Sequence, residues 1–430
     1  MSGHNFLIKS IMATILFLVI LTSPVFSYDT DKVHPLINTK SIQMSNNFLR
    51  TLSNLGFYQG IDSILNEKQI YKWFEDGAKE EDIPLVRSYN HFHDPTKSWD
   101  KAGLDDYVLG ILHVTGDSSV LWAQNPDQKY IASDGTVYDV NGTWSWPKAR
   151  GYYYQALTST DKTLREQNFA NTFRALGQAM HLLADSAVPE HVRNEEHAFG
   201  WHYEKWCEQN SSTLNTSATA IDYSITNNSL VSGLSPITNF WDTMPSPGYN
   251  LNPIGLSEYT NFNFLGRKSI FKNYTYPQKP NILYLEPIIA EDGTTDYRVY
   301  FSGLTSDSQN INHLASTGYL WSELSAVYPD GVDDSRFNLD DKCFADYSSI
   351  LVPKAIGYSA GLLDYFFRGK MEATNVETIE DGSGNITGTK FRVKNLTPDE
   401  TMGPGNLIVS YQYKPSGSGD FVYGTSNAIK

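Results

Sequence analysis

Four of the ten histidines, His181, His191, His197 and His202, fall within a stretch of twenty-two residues and are interleaved with Asp185, Glu195, Glu196 and Glu204. They lie in NTFRALGQAMHLLADSAVPEHVRNEEHAFGWHYEKW, residues 171–206. Imidazole and carboxylate together are the donor set of hydrolytic zinc sites, and with only Cys207 and Cys343 in the chain a cage of thiolates is excluded. His181 and Asp185 are four residues apart, so on a helix they project side by side. The pair alone fits the solvated stripe of an amphipathic helix, with Arg174 and Gln178 beside it and Phe173, Leu176, Met180 and Leu183 on the apolar face. The density of donor types is what argues for an ion, since a solvated face needs no such concentration. Pro189 ends the helix, and the following turn can bring His191 back beside His181 and Asp185.

Other segments offer further donors. In SYNHFHDP, residues 88–95, His91 and His93 alternate, so in an extended chain one faces a site and the other faces away. GAKEEDIP carries Glu80, Glu81 and Asp82 in a run that by itself reads as a solvated acidic turn. His34, in DKVHPLINTKSI, lies six residues past the expected start of a processed chain, where it could share an ion with the free α-amino group.

Taken together these segments resemble the zinc-dependent phospholipase C family, whose superfamily includes the fungal single-strand-specific nucleases. His181, Asp185 and His191, spaced H-x3-D-x5-H with Pro189 before the last histidine, are similar to the family's core motif. NHFHDP is similar to its earlier histidine motif and places His91 in the ligand position with His93 as neighbour. HPLINTKSI is similar to the N-terminal histidine segment of alpha-toxin-like members, which makes His34 a ligand. The resemblance implies a nearly all-α fold holding three zinc ions at the base of a cleft, with Asp185 bridging two of them. It also implies backbone ligation by the first mature residue, Tyr28 here where family members commonly have Trp, and an acidic ligand ahead of His91, for which Asp82 is chosen over Glu81. The last ligand pair in the family is His followed four residues later by Glu or Asp; here Gly200 stands four before Glu204. Glu204 is therefore assigned as ligand with either His197 or His202 as its partner, His197 being preferred.

The elements that must position these residues follow from periodicity. Helices are expected near 38–54, 61–76, 104–115, 162–186, 308–327 and 352–369, with long surface loops and a hairpin over 205–300. After Gly369, NVETIED, ITGTKFRVKNL and NLIVSYQYK alternate apolar and polar residues between turn-rich segments. The fold class is thus mainly α: a multi-helix domain over 28–370 followed by a small β-sandwich-like module over 371–430. Residues 1–27, with Lys9, the apolar run Ile11 to Leu21, and Val25 and Ser27 at a small-residue cleavage site, read as a secretory signal peptide. The alternative is an uncleaved N-terminal anchor. A formal net charge of -15 argues against binding duplex nucleic acid, whose affinity comes from Lys and Arg neutralising phosphates.

Clustered divalent ions suit a phosphate ester: they neutralise it, acidify a bound water and stabilise the departing oxygen. The expected protein is a secreted phosphodiesterase acting on a phospholipid, with Asp82 and Asp185 as catalytic carboxylates and the β-module contacting a membrane surface. The competing expectations are a single-strand nuclease, with Tyr152 to Tyr154 and Trp201 available for base stacking, and a secreted binding protein whose zinc is structural.

Overall fold

In the computed structural model residues 31–427 are described apart from 109, 133, 229–235, 290–292, 319–335, 398–399, 402–404, 416, 418 and 420. The leader run and Tyr28 lie outside the described residues. In chain order the elements are α1 (Val33–Met44), α2 (Asn46–Asn54), the short ladder β1 (Ile64–Leu65) with β2 (Lys68–Gln69), α3 (Ile70–Glu80), the hairpin β3 (Asp105–Val108) with β4 (Leu112–Thr115), α4 (Ser119–Trp122) and the short ladder β5 (Tyr130–Ile131) with β6 (Val137–Tyr138). Then follow α5 (Trp146–Thr158), α6 (Lys162–Ala184), α7 (Tyr203–Gln209), α8 (Leu256–Asn263), the sheet β7 (Leu283–Ile289), β8 (Thr295–Leu304) and β9 (Asn310–Gly318), and α9 (Asp341–Phe366). The chain ends in two separate ladders, β10 (Met371–Glu380) with β11 (Ile386–Asn395) and β12 (Ser410–Tyr413) with β13 (Val422–Thr425).

The core is built around α6. Asp161 caps its N-terminus by accepting a hydrogen bond from the Leu164 amide at 2.8 Å. From Phe169 onward Phe169, Phe173, Leu176, Met180 and Leu183 pack with Phe48, Phe74 and residues of α9 in one apolar cluster. The alternative of a solvated stripe fails: Gln178, His181 and Asp185 are buried, and the face they share is covered by α1 and α3.

Two glycines let those helices approach. A Cβ at Gly77 would lie 2.1 Å from the Arg174 carbonyl oxygen, and one at Gly177 would lie 2.5 Å from that of Phe74. Asn38 from α1 seals the crossing, its side-chain amide donating to the Phe74 carbonyl at 3.1 Å and the Gly177 carbonyl at 3.0 Å. This junction brings His34 on α1 and Asp82, just past α3, onto the turn of α6 that carries His181. Gly177→Ala should force α3 off α6 and destabilise the fold by about 1–3 kcal/mol, the usual cost of overpacking. A melting experiment on metal-free protein would register it, and an unchanged melting temperature would contradict the crossing.

Several expected elements take other forms. Residues 104–115 make the β3–β4 hairpin rather than a helix, because Val108 and Val114 alternate inward while Gly110, at φ 68°, occupies the left-handed region in the turn. Residues 310–318 of the helix expected at 308–327 form a strand instead, since β8 offers a pairing partner and α9 covers its buried side; residues 319–327 lie outside the described residues. The segment 205–300 is not surface loop throughout: Ile237, Phe240, Trp241, Phe264 and Leu265 are fully buried, and the Trp241 indole donates to the Leu182 carbonyl at 3.2 Å. Helix α5 was not anticipated, and α9 begins at Asp341, ahead of the expected 352.

β10, β11 and β12 form where alternation placed them, and with the unanticipated β13 they make two separate ladders. No side chain between Met371 and Asn427 is buried among the described residues, so they lack the shared core of a sandwich. The second ladder rests on the body near the start of α6, where the Arg165 guanidinium lies 4.6 Å from the Tyr423 ring. No helix among the described residues is long and apolar enough to cross a membrane.

Candidate metal centre

Helix α6 ends at Ala184, and Asp185 opens a single 3-10 turn, so its carboxylate stays on the face of His181. Asp185 Oδ1 lies 3.2 Å from His34 Nε2, and Oδ2 lies 2.9 Å from His91 Nδ1, 3.4 Å from His181 Nε2 and 3.9 Å from His191 Nδ1. Asp82 joins from the α3 side, 3.5 Å from His91 Nδ1 and 3.6 Å from His181 Nε2. Nineteen residues past Asp185, Glu204 on α7 meets His191 Nε2 at 3.4 Å and His197 Nε2 at 2.5 Å. Donor atoms within 4.8 Å of one another form the groups His34/His181/Asp185, Asp82/His91/His181 and His191/His197/Glu204, all buried.

Backbone carbonyls orient the rings. Since a carbonyl can only accept, Nδ1 of His181 donates to Ala78 at 2.6 Å, Nδ1 of His191 to His91 at 3.3 Å and Nδ1 of His197 to Glu195 at 2.9 Å. Each ring thereby turns Nε2 toward the carboxylates, the arrangement by which outer partners fix a metal-binding histidine. His181 has one nitrogen left, so only one of the two groups that contain it can use it.

The electrostatics are those of a crowded interior. Burial pushes His181 down, but Asp185 and Asp82 outweigh it and bring the ring up to about 10. His197 is likewise raised to about 9, burial being overcome by Glu204. Asp185 and Glu204 are held well below the usual carboxylate range against their burial, Asp185 first by His181 and Glu204 first by His191. Burial lifts Asp82 to about 6, and burial with the neighbouring His181 lowers His34 to about 4. His34 and His181 stack with ring centroids 3.6 Å apart. Both oxygens of Asp185, both ring nitrogens of His91 and Nε2 of His181 are buried without a hydrogen bond. Burial without such partners is costly for groups of this kind, and a divalent cation would supply what they lack.

Eight of the residues singled out from the sequence, His34, Asp82, His91, His181, Asp185, His191, His197 and Glu204, therefore converge; Tyr28 lies outside the described residues. His197 rather than His202 pairs with Glu204. His202 stands just before α7 without a side-chain capping bond, its ring 4.9 Å from that of His197, and burial lowers it to about 3. The solvated-turn alternative for residues 80–82 fails: Glu81 is buried against Arg87 at 2.5 Å and accepts from the Trp122 indole at 2.8 Å, leaving Asp82 to face the histidines. Arg87 also bonds Gln178 at 2.9 Å and the Val140 carbonyl at 2.9 Å. Tyr152 to Tyr154 lie on α5 and do not line the pocket beside the centre, which is walled by Tyr89, Phe92, Leu104, Val108 and Val114 along with His191 and His197. Cys207 and Cys343 are free and buried. Sequence reasoning missed Ser118, Asp242 and the orienting carbonyls, for which no local pattern exists.

Fold and site thus define a chain of packed helices with several small antiparallel sheets, carrying buried histidine and carboxylate groups that could hold metal ions. No family model and no curated protein matches the chain. Among solved structures it is similar to alpha toxin from Clostridium absonum, at 13% identity and a TM-score of 0.36 over 87% of this chain and 80% of that one. Likeness at that level does not define a shared family, and the reading below rests on the centre itself.

Proposed function

We propose that the protein is a secreted zinc-dependent phosphodiesterase whose substrate is a phospholipid. The observation that carries this reading is Asp185, buried among His34, His91, His181 and His191, with Asp82 and the His191/His197/Glu204 group alongside. Three adjoining groups of neutral and anionic donors, two of them sharing His181, fit a multi-ion hydrolytic centre better than a structural site, which closes four ligands around one ion. His34 and Asp185, completed by the backbone of Tyr28, would hold one ion; Asp82, His91, His181 and the shared Asp185 a second; His191, His197 and Glu204 a third. Bound zinc would supply charge neutralisation for the phosphoryl oxygens, an acidified water and stabilisation of the leaving oxygen. Asp185 would serve the first two sets together, and Asp82, whose carboxyl burial lifts to about 6, is the carboxylate suited to accept a proton from the attacking water. The apolar pocket lined by Tyr89, Phe92, Leu104, Val108 and Val114 borders the His191/His197/Glu204 group.

The terminal ladder that rests on Arg165 sits sixteen residues up α6 from His181, about 24 Å at the rise of an α-helix. In this reading it contacts the membrane away from the centre rather than forming its lip. A second reading, a single-strand nuclease, would need an accessible aromatic platform beside the centre; Phe92 borders the same pocket but is buried, its ring stacked on His191 at 4.4 Å.

The deciding experiment assays zinc-loaded protein beginning at Tyr28, side by side, for diacylglycerol release from phosphatidylcholine and nucleotide release from single-stranded DNA. Diacylglycerol alone is expected. Nucleotides alone would replace the lipid reading, and silence on both in fully loaded protein would mean a narrower phosphoester substrate or a site kept for structure.

A further inference from the structure

His93 belongs to none of the three donor groups, yet it is buried at 1% exposure and makes polar contacts on both sides of its ring. Its Nδ1 lies 2.7 Å from Ser118 Oγ and its Nε2 lies 3.0 Å from Asp242 Oδ2. Asp242 Oδ2 also accepts from the Trp99 indole at 2.6 Å, and Oδ1 accepts from the Met244 amide at 2.7 Å. Ser, His and Asp are the residue types of a nucleophilic triad, but Ser118 is 2% and Asp242 0% exposed, so no substrate reaches the hydroxyl. A sealed network of this kind holds its neighbours in place.

What it holds is the backbone of residues 91–93, which serves both halves of the centre. The His91 ring faces Asp82 and Asp185, while the His91 carbonyl accepts from Nδ1 of His191, whose Nε2 faces Glu204. The His93 amide donates to the His191 carbonyl at 3.0 Å, and the Phe92 carbonyl accepts from the Ser119 amide at 2.9 Å. At its other end Asp242 follows Trp241, whose indole bonds the Leu182 carbonyl in the last turn before Asp185. A single imidazole therefore ties the segment carrying His91 to the loop that rests on the helix carrying His181.

We infer that His93 is a positioning residue for both the Asp82/His91 and the His191/His197/Glu204 groups, acting through Asp242 and Ser118 without touching an ion. The inference rests on the metal reading of the centre. Outer partners of metal ligands typically contribute 10- to 100-fold in metal affinity, and one that orients two groups should affect more than one ion.

The test measures zinc content and chelator competition on full-length wild-type, His93→Ala, His93→Gln and Asp242→Asn proteins, together with the d–d absorption of their cobalt forms. His93→Ala should weaken zinc binding 10- to 100-fold at more than one ion and alter the cobalt band, which reports ligand geometry and which a merely structural role would leave unchanged. Asp242→Asn should do the same, and a protein carrying both His93→Ala and Asp242→Asn should be no worse than either single variant. His93→Gln, whose amide reaches the Nε2 position and can still donate to Asp242, should recover most of the loss. Wild-type competition curves and cobalt spectra in His93→Ala would overturn the inference, as would Gln and Ala behaving alike. Should His93→Ala fail to fold, unaltered zinc affinity in Asp242→Asn would overturn it equally. Wild-type protein that takes up no zinc would instead sink the metal reading underneath.

Discussion

Asp185→Asn should reduce phosphodiester hydrolysis by about 10³-fold or more and lower the zinc content of the same preparation. Several kcal/mol of transition-state stabilisation is the scale that bound metal contributes, and each 1.36 kcal/mol is a factor of ten. Asparagine keeps the volume but presents one neutral oxygen where the carboxylate offered His34 one oxygen and His91 and His181 the other. In the metal-free protein the substitution also removes the partner that keeps His181 protonated. Breaking such a buried pair costs on the order of 3–5 kcal/mol. The sign of its pH dependence follows from the two shifts. Asp185 is depressed, so its contribution is present above 3.8 and is lost as pH falls through its folded value. His181 is raised, so its contribution is complete below 6.5 and is lost as pH rises through about 10. The melting-temperature gap between wild-type and Asp185→Asn, both metal-free, should be widest between those bounds and close toward high pH. Full activity with normal zinc content in Asp185→Asn would refute its role.

Zinc uptake should release protons and strengthen with pH. His197, raised to about 9 by Glu204 against its burial, and His181, raised to about 10, both carry at neutral pH the proton that a metal must displace from Nε2. The deprotonated ring is the ligand, so affinity rises with pH: about tenfold per unit for each of the two ions concerned, until pH passes about 9 for one and about 10 for the other. His34, lowered to about 4, has no proton to give up and adds nothing to this slope at neutral pH. Calorimetric zinc titrations at several pH values, in buffers of different ionisation heat, measure both quantities. Affinity independent of pH, with no proton release, would contradict the coupled arrangement.

The donor residues themselves were legible in the chain. His181, Asp185 and His191 announce themselves by spacing, since a four-residue step on a helix and a proline-directed turn are local geometry that any environment preserves. Strands β10, β11 and β12 were legible for the same reason, because alternation is intrinsic to the pleat. The distinction between His197 and His202 was not, since the path from Gly200 into α7 depends on what covers it. The β3–β4 hairpin and β9 were misread as helices because short apolar runs take the form that a tertiary partner completes, here a facing strand and the side of α9. What covers the polar face of α6 was not legible either, because Gly77 and Gly177 matter only once two helices cross. By itself, then, the sequence determined which side chains bear the chemistry and the local elements that hold several of them. Only the tertiary structure decided that His34, Asp82 and His91 meet Asp185, and that His93 turns away to Asp242, because those contacts join residues up to 151 positions apart and arise from packing rather than from any local pattern.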